Sequence, residues 1–149
     1  MTFKGIHPKF VNLTGVLLTV LFVYTAISKL IHLDTFQLRL ERMPFINSYA
    51  QIISWGVPFV ELVIAGLLWF GKYRIKALFA SLLLLGLFTA YIAIVLKFSD
   101  SVPCSCGGII SAMGWRDHIL FNSTFMLLAL LGILGSKQQT KIPSHENTT

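Results

Sequence analysis

Charge is what this chain has least of. Charged residues make up 12% of its 149 positions and only 6 are acidic, whereas a soluble domain carries about 25% charged residues. So little polar surface could not cover a globule in water, which argues against an ordinary soluble domain. A soluble bundle of buried helices fails for the same reason, because its helices would still show polar faces. The formal charge of +6 would suggest nucleic acid in a soluble protein. Here the basic residues stand at the ends of apolar runs, where they serve as membrane anchors and topology signals, so no nucleic-acid partner is expected. Cysteine is almost missing too: the 2 present are Cys104 and Cys106. Beyond the pairing of apolar spans there is no internal repeat, and there is no low-complexity segment.

What the chain has in abundance is apolar sequence, 55% of residues with a mean hydropathy of +0.75. Four stretches, residues 10–31, 51–70, 77–96 and 119–135, each come in or near the roughly 17 to 25 apolar residues that a membrane span needs. The expected fold is therefore all-α: one integral membrane domain over residues 1–149, built as a four-helix bundle with membrane lipid around it. The first span is too long for a signal-peptide core and no small-residue cleavage site follows it, so it is expected to stay as a helix. Residues 1–9 form a short basic lead, residues 136–149 a polar tail, and GKYRIK between the second and third spans a tight turn.

With four spans, the two tails and the middle loop share a side. That side holds Lys4, Lys9, Lys72, Arg74, Lys76, Lys137 and Lys141, against Lys29, Arg39, Arg42, Lys97 and Arg116 on the other. The bias predicts both termini in the cytoplasm and the two longer loops outside. In the first of these, LDTFQLRLERMPF places Leu33, Phe36, Leu40 and Met43 at helical spacing among charged residues. The pattern predicts a short amphipathic helix on the membrane surface, ending near Pro44, either passive or a lid over a site beneath it.

The second outer loop reads VPCSCGGIISAMGWRDHILFN. A disulfide across one intervening residue strains the backbone and closes too short a loop to stabilise a fold much, so a labile redox pair fits Cys104 and Cys106 better than a structural bridge. Inert neighbouring thiols are the plain alternative. Pro103 fixes the entry to the pair, while Gly107 and Gly108 allow a sharp turn. His118 and Asn122 are four residues apart, on one face of a helix that starts near Trp115 or Arg116. An imidazole there can move the proton that accompanies thiol–disulfide exchange, and Asn122 can orient it or bind a ligand carbonyl. Equally, His118 fits an interfacial residue and Asn122 a helix-packing group. Trp115 reads as an interface anchor or as a surface for a quinone ring. Asn122-Ser123-Thr124 matches a glycosylation acceptor but falls inside a span, where it is a chance match.

Glu61 stands inside the second span, where an ionisable group costs a few kcal/mol unless paired, and Lys29 near the outer end of the first is its candidate partner. The two are expected either to handle protons or to form a structural ion pair. Pro58, three residues before Glu61, offers a bend and room for a cavity. Cys104, Cys106 and His118, with the Met113 thioether, could form a soft-metal set for copper or zinc. No second C-x-C and no histidine-rich tail supports it, and no metal is expected.

Four spans, a lysine closing the first (ISKL), a glutamate in the second (FVELVIAGLL) and a CSCGG-x9-H-x3-N block together resemble the MauE/DoxX redox-associated membrane proteins over residues 10–135. The resemblance implies disulfide formation or maturation of exported proteins beside thioredoxin-like partners, or quinone-linked sulfur oxidation. It also implies a small bundle like vitamin K epoxide reductase and DsbB-type oxidases in outline. Those oxidases keep a C-x-x-C and a second cysteine pair; this chain has one C-x-C, so any relay must come from a partner's thiols.

The resulting expectation is a multi-pass protein of a bacterial cytoplasmic membrane, its cysteine loop on the outer side, acting as a thiol–disulfide oxidoreductase or the redox subunit of one. Cys104, Cys106 and His118 are the catalytic candidates, Trp115 and Asn122 the quinone-binding ones, and Glu61 and Lys29 line the bundle interior. Its partner is an exported thioredoxin-like or substrate protein. The alternatives are a non-catalytic assembly subunit of a larger membrane complex and a soft-metal carrier.

Overall fold

The computed structural model describes residues 8–98 and 114–139. The elements are α1 (Pro8–Ile31), α2 (Leu33–Glu41), α3 (Ala50–Trp69), α4 (Arg74–Phe98) and α5 (Trp115–Gln139), with single 3-10 turns at Asn47–Tyr49 and Gly71–Tyr73. Four of these, α1, α3, α4 and α5, are long and apolar enough to cross a membrane. In lipid a helix is favoured because it satisfies every backbone N–H and C=O internally. Hydroxyl side chains follow the same rule: Thr19, Ser81 and Thr89 each donate to the carbonyl four residues earlier, at 2.7–2.8 Å. The multi-pass all-α membrane bundle expected from hydropathy is the fold observed.

The spans run slightly longer than their apolar cores. α5 starts at Trp115, four residues before the apolar run, with the His118 amide donating to the Gly114 carbonyl. α4 starts at Arg74, so the GKYRIK turn is one 3-10 turn followed directly by helix. The spans form a ring in chain order: α1 packs on α3 and α5, α4 packs on α3 and α5, and α1 barely meets α4. Connections of this kind make neighbours antiparallel, so α1 begins and α5 ends at the same end of the bundle.

Burial is reversed from that of a water-soluble protein. Thr14, Ser54, Glu61, Ser81, His118 and Asn122 are buried, while Val20, Ile52, Trp55, Phe59, Leu83 and Leu120 lie on the outside. The apolar exterior faces lipid, and the interior is where polar groups find partners. At the end where α1 starts, Leu18, Phe22, Leu68, Leu78, Ala129 and Ile133 form a dense core. Gly132 lets the helices close there: a Cβ on it would meet Leu78 at 3.3 Å and Thr14 at 3.5 Å.

The opposite end is built differently. α2 folds over the start of α3, burying Phe36 and Leu40 against Ala50, Ile46 and Ile53. It ends at Glu41, two residues short of the apolar Met43, as the Arg42 and Met43 amides turn back to the Arg39 and Leu40 carbonyls. After Pro44 the chain reverses through Phe45, held in the left-handed region at φ 71°, a conformation uncommon for a side chain of this size. Tyr91 Oη of α4 donates to the Pro44 carbonyl at 3.0 Å and so ties this corner to the bundle.

Candidate functional site

Between α2 and the dense core lies a cavity of about 470 Å³ to which all five helices contribute. Most of its wall is apolar: Leu21 and Phe22 of α1, Phe36 and Leu40 of α2, Met43 just after it, Ile53 and Val57 of α3, Leu85, Phe88 and Ile92 of α4, and Phe121 of α5. The polar wall is short and specific, comprising Thr25, Lys29, Glu61, Tyr91, His118 and Asn122.

Helical periodicity places these groups. Thr25 and Lys29 are four residues apart on α1, Val57 and Glu61 on α3, and His118 and Asn122 on α5, so each pair projects from one helix face. Lys29 Nζ donates to Glu61 Oε1 at 2.7 Å, with the two side chains 7% and 2% exposed. That contact neutralises the wall and answers the cost of placing two charges at membrane depth. α3 runs as one helix through the buried Pro58, one turn before Glu61. On α5, His118 and Asn122 are both buried, each 4% exposed, and turn inward to the cavity. Ser123 and Thr124, which follow Asn122 in the glycosylation match, donate back to the Ile119 and Leu120 carbonyls within α5.

The polar wall is only partly satisfied. Glu61 Oε2 and Asn122 Nδ2 are buried without a hydrogen-bond partner among the described residues. The Thr25 hydroxyl, close to the carboxylate, donates to the Phe22 carbonyl at 3.2 Å. Buried polar atoms nearly always have partners, and those that do not mark sites of function, strain or a bound group.

Of the candidates read from sequence, the structure brings Lys29, Glu61, His118 and Asn122 to one wall. Trp115 is the first residue of α5. Cys104, Cys106 and Met113 lie outside the described residues, as do residues 1–7 of the basic lead and 140–149 of the tail. The chain leaves α4 at Phe98 and enters α5 at Trp115, beyond the cavity-lining Ile92 and before the cavity-lining His118, so both ends of the stretch that carries the cysteines are at the cavity end of the bundle.

The family model described as "Methylamine utilisation protein MauE" matches residues 7–135. The chain belongs to the MauE family. The match covers all four spans and the stretch between α4 and α5. Comparison with curated proteins and with solved structures gave no match.

Two parts of this MauE-family cavity escaped sequence reasoning. Tyr91 sits in TAYIAIV and passes for a membrane-embedded aromatic; only its contact with the Pro44 carbonyl shows it as the tie for the α2 corner. Thr25 was legible in principle, since it lies one turn before Lys29 on the same face. The apolar side of α2, read from sequence as either passive on the membrane surface or a lid over a site, faces the cavity in part: Phe36 and Leu40 line it, with Met43 just beyond the helix.

Proposed function

We propose that this MauE-family protein is a membrane thiol–disulfide oxidoreductase, or the membrane subunit of one. It would exchange electrons between the Cys104/Cys106 pair, an exported thioredoxin-like or substrate protein, and a quinone. The observation that carries the reading is the cavity: an apolar chamber with one polar wall made of Lys29–Glu61, His118 and Asn122. Its volume of about 470 Å³ falls within the roughly 300–1,000 Å³ of small-molecule sites. The unpartnered Asn122 Nδ2 is a donor suited to a ring carbonyl. The lysine and arginine bias supports an outward-facing cavity end, on the side where disulfides form and persist.

A partner thiolate attacks one sulfur of the Cys104–Cys106 disulfide, and a mixed disulfide forms. The partner's second thiolate then displaces it, so the partner leaves as a disulfide, having lost two electrons and two protons, and Cys104 and Cys106 become thiols. A quinone in the cavity supplies the two-electron, two-proton acceptor that returns the pair to its disulfide. His118 moves protons at its imidazole, Asn122 orients the ring through its N–H, and the Lys29–Glu61 pair keeps the wall neutral. The phenylalanine and leucine side chains keep water from the ring.

The test is thiol alkylation on the full chain in lipid nanodiscs. The reduced pair is expected to label at both thiols and to become resistant once a short-tailed quinone is added; in Cys104→Ser or Cys106→Ser the one remaining thiol should label whether or not quinone is present. A pair that stays labelled, together with serine variants that support the native complex, would overturn the redox reading in favour of an assembly subunit. Copper or zinc bound stoichiometrically and lost in those variants would overturn it in favour of a metal carrier.

A further inference from the structure

Glu61 Oε2 and Asn122 Nδ2, the two cavity-wall atoms without a partner among the described residues, are of opposite kinds. Glu61 Oε2 is a carboxylate oxygen that accepts, and Asn122 Nδ2 is an amide nitrogen that donates. Glu61 is 1% exposed and Asn122 4%, and both side chains line the cavity. Lys29 reaches Oε1 and the Tyr91 hydroxyl goes to the Pro44 carbonyl, while the Thr25 hydroxyl lies beside the Glu61 carboxylate with its hydrogen bond to the Phe22 carbonyl at 3.2 Å. A ligand that only accepts satisfies Asn122 and leaves Glu61 Oε2 stranded. A ligand that donates and accepts satisfies both.

We propose that the cavity is built for the hydroxyl-bearing, reduced form of its ring ligand, a hydroquinone in preference to a quinone, with one hydroxyl donating to Glu61 Oε2 and a hydroxyl oxygen accepting from Asn122 Nδ2. The inference rests on the quinone reading above and deepens it. A quinone carries only carbonyl acceptors, so its oxygen faces the carboxylate lone pair to lone pair. A buried mismatch of this kind is worth about a factor of ten in affinity. By linkage, tenfold tighter binding of the reduced form raises the potential of the bound couple by about 30 mV for two electrons. The wall then favours electron flow from thiols to ring: Cys104 and Cys106 lose two electrons and two protons and become a disulfide, and the ring takes up both to become the hydroquinone.

The test compares a short-tailed benzoquinone with its own hydroquinone under anaerobic conditions. The protein is the full chain carrying Cys104→Ser and Cys106→Ser, so that no turnover intervenes, and binding is read by equilibrium dialysis. The hydroquinone is expected to bind about tenfold tighter. Lys29→Met with Glu61→Gln, which removes both charges together, should abolish the preference. Asn122→Leu should weaken both forms alike and leave their ratio unchanged. Equal affinities, or a tighter quinone, would overturn this inference while leaving the quinone reading intact. A preference that survives loss of the Glu61 carboxylate would overturn the assignment of the acceptor. If neither form binds, both readings fall.

Discussion

The buried Lys29–Glu61 contact permits a quantitative double-mutant cycle. Replacing Glu61 with Leu leaves an ammonium inside the bundle, and replacing Lys29 with Met leaves a carboxylate there. Removing one partner of a buried pair costs about 3–5 kcal/mol, in line with about 2.5–3.5 kcal/mol for one charge at the centre of a membrane helix. The two losses should differ. Lys29 is two residues from the end of α1, so its long side chain can extend toward the surface once released. Glu61 lies near the middle of α3 and has no such route. Glu61→Leu should therefore cost about 3 kcal/mol and Lys29→Met nearer 5 kcal/mol. The double variant removes both charges and the stranded Oε2 and fills the space with apolar side chains, so it should fall within about 1 kcal/mol of the parent. Reversible unfolding in mixed micelles of rising denaturing-detergent fraction gives all four corners of the cycle. A double variant as unstable as the two singles combined would refute the idea that the residues act as a pair. Single variants of parental stability would refute the claim that the interior charges its occupants this heavily.

Other perturbations address the α2 cap and the dense core. Tyr91→Phe removes the donor to the Pro44 carbonyl; it should cost about 0.5–1.5 kcal/mol and speed hydrogen exchange at residues 42–46 without altering α5. Leu40→Ala, at a side chain buried under α2, should cost about 2–5 kcal/mol, and exchange should rise through α2 first because that helix has the fewest packing partners. Gly132→Val forces a branched side chain into the space held by Leu78 and Thr14 and should cost about 1–3 kcal/mol by overpacking. Gly66→Ala meets nothing within 4 Å and should leave stability unchanged or raise it by about 0.4–1 kcal/mol; a thermal melt of the two glycine variants side by side checks the contrast.

Glu61 shows how far sequence reading reaches. Its cost in a membrane span is a property of one residue in an apolar window, so it stood out without any structure. Lys29 was nameable as its partner from chemical type, but the contact needs the two to meet at one depth. Depth depends on how antiparallel helices are offset, which the ring packing of α1 against α3 decides. Asn122 and His118 were a face by spacing alone, and that face could have pointed to lipid, to a neighbour or to a cavity. Tyr91 was hidden because an aromatic side chain in an apolar span has no local signature of a long-range hydrogen bond. α2 was legible as an amphipathic helix, yet its apolar stripe is the same whether it lies on lipid or roofs a chamber.

The sequence by itself determined the number of spans, their approximate limits, the charge bias across the membrane, the short helix after the first span and the identities of the polar residues placed among apolar ones. Those follow from composition within windows of about twenty residues, since lipid acts as solvent on each helix separately. Only the tertiary structure decided that Lys29, Glu61, His118 and Asn122 share one wall, that α2 covers it, and that one acceptor and one donor on that wall have no partner among the described residues. Those follow from which helices are neighbours and how they are rotated, because a cavity and its unsatisfied atoms exist only between elements, in contacts from residues far apart in the chain.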